Sequence, residues 1–442
     1  MKNVQTVSNV PRSRTSAPNN PGVGGYQLAT ADLRLKGNSM TRELNAIVPT
    51  IAMIAALAMT PVAPEAGNTL FLIAGGLGLL LMWPQAVEDI RRPIIWMPLV
   101  GLLLVAGAYG ISAGIDGLIG VLYFAPLLAV WPLSTVMRSL DRTQFTALIG
   151  ILGICGVTGA AVMAIFEVQT TGTTRAGETV ANPIHFADVA LLVGFIALLG
   201  CLALRSQWRW IFMLAPIMAI VAVLLSGTRG AVVAFVAMVG VAIVSPALLR
   251  LYPRRVALVV GLAIMAVVAL FLSLGGAQIS GAQRVLSNFS DVLASGAPTD
   301  SSTQLRLQMY QGALRAFLKS PIVGHGPLAF TVVADSLADF PFGGTPHLHN
   351  DLANMAASAG IFGLVAYLLF VLAPIVEIMR APRTPQRGVS IVLVATWVAG
   401  FLVMGITNAT FGILTVTVVF AAICIISGFL ATQDETPDQP LT

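Results

Sequence analysis

FADVALLVGFIALLGCLALRSQWRWIFMLAPIMAIVAVLLSGTRGAVVAFVAMVGVAIVSPALL, residues 186–249, consists of three apolar runs separated by two short polar breaks, RSQWR and SGTRG. Each run has roughly the 20 residues that an α-helix needs to cross the hydrocarbon core of a bilayer. The runs are unbroken, whereas the strands of an outer-membrane barrel alternate polar and apolar residues. Working outward, comparable runs occur at 44–62, 68–84, 94–112, 117–137, 145–167, 256–274, 357–379, 389–406 and 409–431. Composition agrees. Of 442 residues, 57% are hydrophobic and only 10% charged, with a mean hydropathy of +0.87, which excludes a soluble globular enzyme. A dozen spans of about 20 residues would fill roughly 240 positions, close to the whole apolar total. The expected fold is an all-α polytopic membrane protein with about twelve transmembrane helices.

Cys155, Cys201 and Cys424 lie far apart inside apolar runs, without the spacing of a metal finger, and read as helix-packing residues. The net charge is +5, but in a membrane protein basic residues report orientation first, so no nucleic-acid partner is implied. Arginine outnumbers lysine 21 to 3. Guanidinium suits bidentate phosphate contact, although a GC-rich genome gives the same bias.

Residues 1–43 are rich in Ser, Asn, Pro and Gly and carry Lys2, Arg12, Arg14, Arg34, Lys36 and Arg42, with no apolar run of signal-peptide length. With this tail inside, eighteen basic residues fall on the inner side, among them Arg92, Arg138, Arg142, Arg380 and Arg387. The other six, Arg175, Arg229, Arg284, Arg306, Arg315 and Lys319, fall outside, where the positive-inside rule disfavours them. Those six need a reason to be there.

Most outer loops are short; the exceptions run from about 169 to 185 and from about 275 to 356. In the larger loop, Thr303 to Ser320 places Leu307, Tyr310, Leu314, Phe317 and Leu318 at helical spacing and stops at Pro321. This predicts an amphipathic helix along the outer membrane interface.

GTPHLHNDLANMAASAGIFGLVAY, residues 344–367, leads a histidine pair directly into a span. Asn350 or Asp351 makes a good N-cap, which puts His349 at the positive end of the helix. That position disfavours imidazolium, so His349 stays neutral and able to accept a proton, as a general base must. The competing reading has His347 and His349 only bonding nearby backbone and pinning the loop. The pair lacks an evident third strong ligand, so no metal is expected.

In SGTRGA, residues 226–231, Arg229 sits at the outer mouth of the bundle, either snorkelling to lipid headgroups or facing a cavity as an anion ligand. Gly227 and Gly230 would let a bulky headgroup approach the backbone. Arg175 stands three residues before Glu178, within reach of an ion pair. Arg306, near Tyr310, fits lipid phosphate and substrate diphosphate equally well. Arg315 and Lys319 read as solvated, Arg284 stays undecided, His185 reads as a helix cap before Asp188, and His325 in GHG as a turn residue.

SGTRGA, then RLQMYQGALRAFLKSPIVGHG (306–326), then HLHNDLANMAASAGIFG (347–363), in that order and outside the membrane, resemble the O-antigen ligase family. Its superfamily also holds O-antigen polymerases and protein O-oligosaccharyltransferases. The resemblance covers roughly 170–430. It implies a bacterial inner-membrane protein of about twelve helices with a cytoplasmic tail over 1–43, helices over 44–274 and 357–431, one large periplasmic loop over 275–356, and a cytoplasmic tail over 432–442. It implies glycan transfer from undecaprenyl diphosphate to a sugar hydroxyl of lipid A-core, inverting and metal-independent, with no cofactor. The family's essential histidine falls on His349 and its arginines on Arg229 and Arg306. Arg175 matches a diphosphate-binding arginine in a variable loop, with His347, Asn350 and Tyr310 in support. An O-antigen polymerase uses the same donor. A lipid-glycan flippase is the non-enzymatic alternative, against which stands the lack of clear inverted halves with broken helices at matching positions.

Overall fold

The computed structural model describes residues 44–431 apart from 139, 204–206, 252, 254, 256–258, 260–286, 288–300 and 385. All regular structure among the described residues is helical. Along the chain run α1 (Leu44–Met59), α2 (Pro64–Glu88), α3 (Pro93–Gly117), α4 (Pro126–Met137), α5 (Arg142–Thr171), α6 (Pro183–Ile196), α7 (Leu214–Ser226) and α8 (Arg229–Leu248). They are followed by α9 (Ser301–Lys319), α10 (Gly326–Leu337), α11 (Asp351–Arg380), α12 (Arg387–Thr407) and α13 (Leu414–Ala431). Nine helices among the described residues are long and apolar enough to cross a membrane. The chain is a polytopic membrane protein. The expected span 256–274, Arg284 and both tails lie outside the described residues.

Proline opens α2, α3, α4 and α6, where its fixed φ suits a first turn and its missing N–H costs nothing. Asp141 and Asn182 cap α5 and α6 by accepting from Gln144 N and Ile184 N. α11 packs along α3, α12 along α8, and α4 against α2 and α13. α6 and α13 are buried over most of their length and form the centre. At the end remote from the histidines, Arg92 donates to Glu377 Oε1 at 2.6 Å and to the Gly428 carbonyl at 2.9 Å, which ties α3, α11 and α13 together.

Several expected spans differ in form, three of them near the histidines or the α4 start. Over 117–137 the chain makes a 3-10 stretch, Leu118–Phe124, before α4, because Pro126 cannot continue a helix from the preceding turn. Over 409–431 the helix begins only at Leu414. The backbone N–H groups of Thr410 and Phe411 donate instead to the Asp351 carboxylate, at 2.7 and 3.1 Å, and Phe411 packs its ring among Tyr367, Phe370, Phe401 and Phe420. The span expected at 357–379 belongs to a longer helix that breaks at Gly360 (φ 62, ψ −144). There Ile361 N donates to the Pro321 carbonyl at 2.8 Å, and His325 N donates to Ala357 O at 3.0 Å. The α9–α10 connection thus fills a gap in α11 and satisfies its freed backbone groups, as non-helical backbone at this depth requires. α3 breaks similarly at Gly114, so broken helices exist where the sequence showed none. Both breaks lie towards the same end of the bundle, not at mid-span.

The expected amphipathic helix is α9. Met309, Gly312, Ala313 and Ala316 are buried, while Leu307, Leu314 and Leu318 are exposed. Small residues allow close approach: a Cβ on Gly312 would collide with the Ala334 carbonyl of α10. The leucine stripe therefore faces away from the bundle.

Candidate functional site

Four polar breaks build the site. In the first, between α5 and α6, buried Glu167 accepts from Gly177 N at 2.7 Å and Thr179 N at 3.0 Å. Ala176 N donates to Leu225 O at 3.0 Å. This frame holds Arg175, whose Nε donates to Ser226 O at 3.3 Å. In the second, SGTRGA, the Thr228 hydroxyl donates to Pro183 O at 3.2 Å and α8 opens at Arg229, whose Nη2 donates to Ser302 Oγ on α9 at 3.1 Å. α9 itself carries Arg306. The third and fourth are the 344–350 and 408–413 segments, joined through Asp351.

His349 has φ 50, a left-handed conformation uncommon outside glycine. Several contacts hold it there. Asn350 caps α11, accepting from Ala353 N at 3.0 Å, while its Nδ2 donates to Ile406 O at 3.1 Å. The Tyr310 hydroxyl lies 3.1 Å from both the His349 and Ile406 carbonyls and donates between them. Leu348 N donates to Asn354 Oδ1 at 2.8 Å.

The outcome is one cavity of about 230 Å³ with Arg175, Arg229, Arg306 and His349 on its wall, together with Asp188 and Thr407. Three guanidinium groups face one carboxyl, so the cavity favours an anion. It is smaller than a drug-sized pocket of roughly 300–1,000 Å³ and suits a headgroup. His349 is held down to about 4, first by burial, then by the His347 and Arg306 charges, with Asn408 acting in the opposite sense. Burial lowers His347 too. At neutral pH His349 is an uncharged imidazole beside three cations, the state expected from the sequence, but burial and neighbouring charges are the causes in place of the helix terminus. Burial raises Tyr310, which keeps its hydroxyl a donor.

Sequence reading missed Asp188 and Asn408. Asn408 Nδ2 donates to Asp188 Oδ2 at 3.1 Å, and both residues are buried. Asp188 is the lone acid in the 186–204 run, and an intramembrane acid is itself a signal of function. Other expectations change. His185 does not cap α6, since Asn182 does; its ring lies edge-on to His347 at 6.2 Å, and His347 lies 4.4 Å from His349. Arg315 is exposed, as expected, and also pairs with Asp339 at 2.7 Å, because α10 packs beside α9 and Asp339 follows its end. Gly230 is needed for packing, since a Cβ there would collide with Thr407. His325 does stand in a turn, and its Nε2 lies 2.8 Å from Ala316 O, linking that turn to α9.

Fold and site together define a multi-pass membrane protein with an arginine-lined, histidine-bearing cavity at one end of its helix bundle. Residues 214–368 match the family model described as O-antigen ligase, consistent with the resemblance in sequence to the O-antigen ligase and polymerase superfamily. Members are glycosyltransferase-like enzymes of O-antigen processing that act on lipid-linked glycans. No curated protein matches the chain. The matched segment contains Arg229, Arg306, His347 and His349. Arg175, Asp188 and Thr407 lie outside it yet share the same cavity.

Proposed function

We propose that the protein is an O-antigen ligase of the bacterial inner membrane, transferring glycan from undecaprenyl diphosphate to a sugar hydroxyl of lipid A-core at the periplasmic face. The observation that carries this reading is the convergence of Arg175, Arg229 and Arg306 with a neutral His349 on one cavity. Residues 275–356 form the periplasmic loop, and 1–43 and 432–442 the cytoplasmic tails. The exposed leucines of α9 rest in the outer interface.

The diphosphate is its own leaving group. The acceptor oxygen bonds to the anomeric carbon from the opposite face as the bond from that carbon to the diphosphate breaks. The electron pair leaves with the diphosphate, and the hydroxyl proton passes to His349. The arginines meet the developing charge, worth about 2.7–4 kcal/mol per well-placed donor. The base contributes on the order of 10²- to 10⁴-fold. No step needs a nucleotide or a metal.

The test is transfer by purified protein from undecaprenyl-diphosphate-linked glycan to lipid A-core, with EDTA and without nucleotide. Wild type is expected to form ligated product, and His349→Ala to lose it by about 10²-fold or more at equal protein levels. Extension of the carrier-linked glycan in place of ligation would make the protein a polymerase. Full activity in His349→Ala would remove the base assignment.

A further inference from the structure

A second cavity of about 230 Å³ lies beside the first, between the α1–α2 turn, the start of α6 and the start of α13. α6 is the wall between them. Ile184 and Asp188, four residues apart, face the arginine cavity, while His185 and Val189, one step round the helix, face the second. The segment that carries Arg175 into the first cavity also supplies Val180 and Ala181 to the second.

The two linings differ in kind. Among the described residues no arginine or lysine lines the second cavity, so its lining does not suit phosphate. Its polar groups are an amide, an imidazole, two threonines and the Glu65 carboxylate, set among Pro61, Pro64 and Phe186. Asn68 is 7% exposed. Its Nδ2 donates to Thr415 Oγ1 at 2.9 Å, but its Oδ1 is buried with no hydrogen-bond partner among the described residues, and so is His185 Nε2. Buried polar groups of this kind are normally satisfied. A ligand bearing several hydroxyls satisfies such a set, because each hydroxyl both donates and accepts.

We propose that this cavity is a subsite for an uncharged, hydroxyl-bearing sugar residue flanking the transfer point. The His185, His347 and His349 rings, in edge contact in that order, connect it to the arginine cavity. The sugar belongs to the acceptor or to the donor glycan; both present the same hydroxyl chemistry. The proposal rests on the glycan-transfer reading above.

The experiment uses the full chain in detergent, with Asn68→Leu and with Ala181→Phe, which fills the cavity while leaving the Asn68–Thr415 bond intact. Transfer is measured with the carrier-linked glycan and lipid A-core varied in turn. Inorganic pyrophosphate, delipidated core oligosaccharide and carrier-free donor glycan are titrated calorimetrically. Both variants are expected to raise KM for one saccharide substrate about tenfold, the loss of roughly one or two hydrogen bonds, with kcat and pyrophosphate affinity unchanged. The substrate whose KM moves identifies the source of the sugar. Unchanged KM for both substrates, with His349→Ala inactive, would overturn the subsite and leave the transfer reading standing. Loss of pyrophosphate binding in both variants would also overturn it, since the effect would then be collapse of the neighbouring cavity. If wild type transfers nothing, the transfer reading fails, and titration of core oligosaccharide and of the carrier-free donor glycan still decides: binding of either that Ala181→Phe abolishes supports the subsite, and binding of neither removes it.

Discussion

His349 combines a left-handed backbone with an imidazole held at about 4, and both properties bear on catalysis. An imidazole so depressed is a weak base, because base efficiency peaks when the pKa lies near the working pH. Burial is the largest cause, but the Arg306 charge contributes. An anion docked against Arg306 cancels that part, so the base should strengthen as donor binds. The acidic limb of kcat/KM, which reports free enzyme, should fall near pH 4, and the limb of kcat, which reports the bound complex, should lie higher, towards 6.5. Coincident limbs at 6.5 would show His349 to be unperturbed. Linkage has a definite sign here. The unfolded chain binds the proton near 6.5 and the folded chain only near 4, so folding loses stability as pH falls through that window. Thermal unfolding from pH 7 to 4 measures it. Tyr310→Phe removes the proton shared by the His349 and Ile406 carbonyls. It should cost about 1–2 kcal/mol of stability and lower kcat while donor KM stays put, since no arginine moves.

At the scale of elements, the site depends on close helix contacts that only glycine permits. Gly230 of α8 meets the Thr407 side chain at the end of α12, and Arg229 and Thr407 both line the arginine cavity. Gly230→Ala should destabilise by about 1–3 kcal/mol through overpacking. Adding Thr407→Ala should recover most of the loss, a non-additivity expected of touching residues and readable in the unfolding temperature. Equal losses in the single and double variants would place the strain elsewhere. Gly360 differs in kind: its φ is positive and a Cβ there would sit 2.7 Å from the Pro321 carbonyl oxygen. The apolar runs made most spans legible, along with the Asn350 cap, because both depend on residue type along a single segment. The Gly360 break and the late start of α13 were not legible. Each depends on a partner distant in sequence: the Pro321 carbonyl and the Asp351 carboxylate. Arg175, Arg229, Arg306 and His349 were legible as charges and histidines out of place, whereas Asp188 and Asn408 were hidden because their meaning lies in their mutual hydrogen bond.

Over the whole molecule, the described charges are divided between the two ends of the bundle, and the division supports the proposed orientation. At one end Arg92 pairs with Glu377, Arg138 with Asp89 at 2.6 Å, and Arg387 donates to the Met379 carbonyl at 2.6 Å. At the other end Arg175, Arg229 and Arg306 share the cavity and Arg315 pairs with Asp339. In the proposed orientation the first group would obey the positive-inside rule, and the second would depart from it to serve an anion and a local fold. Orientation is therefore testable apart from activity. In a background with Cys155, Cys201 and Cys424 replaced by Ala, single cysteines are placed at exposed Thr174, Ser336 and Pro382. A membrane-impermeant maleimide should label Thr174→Cys and Ser336→Cys in spheroplasts, and Pro382→Cys only after lysis. The reverse pattern would turn the arginine cavity towards the cytoplasm. The periplasmic transfer reading would then fail whatever the purified protein did, since no lipid A-core displayed outside could reach His349.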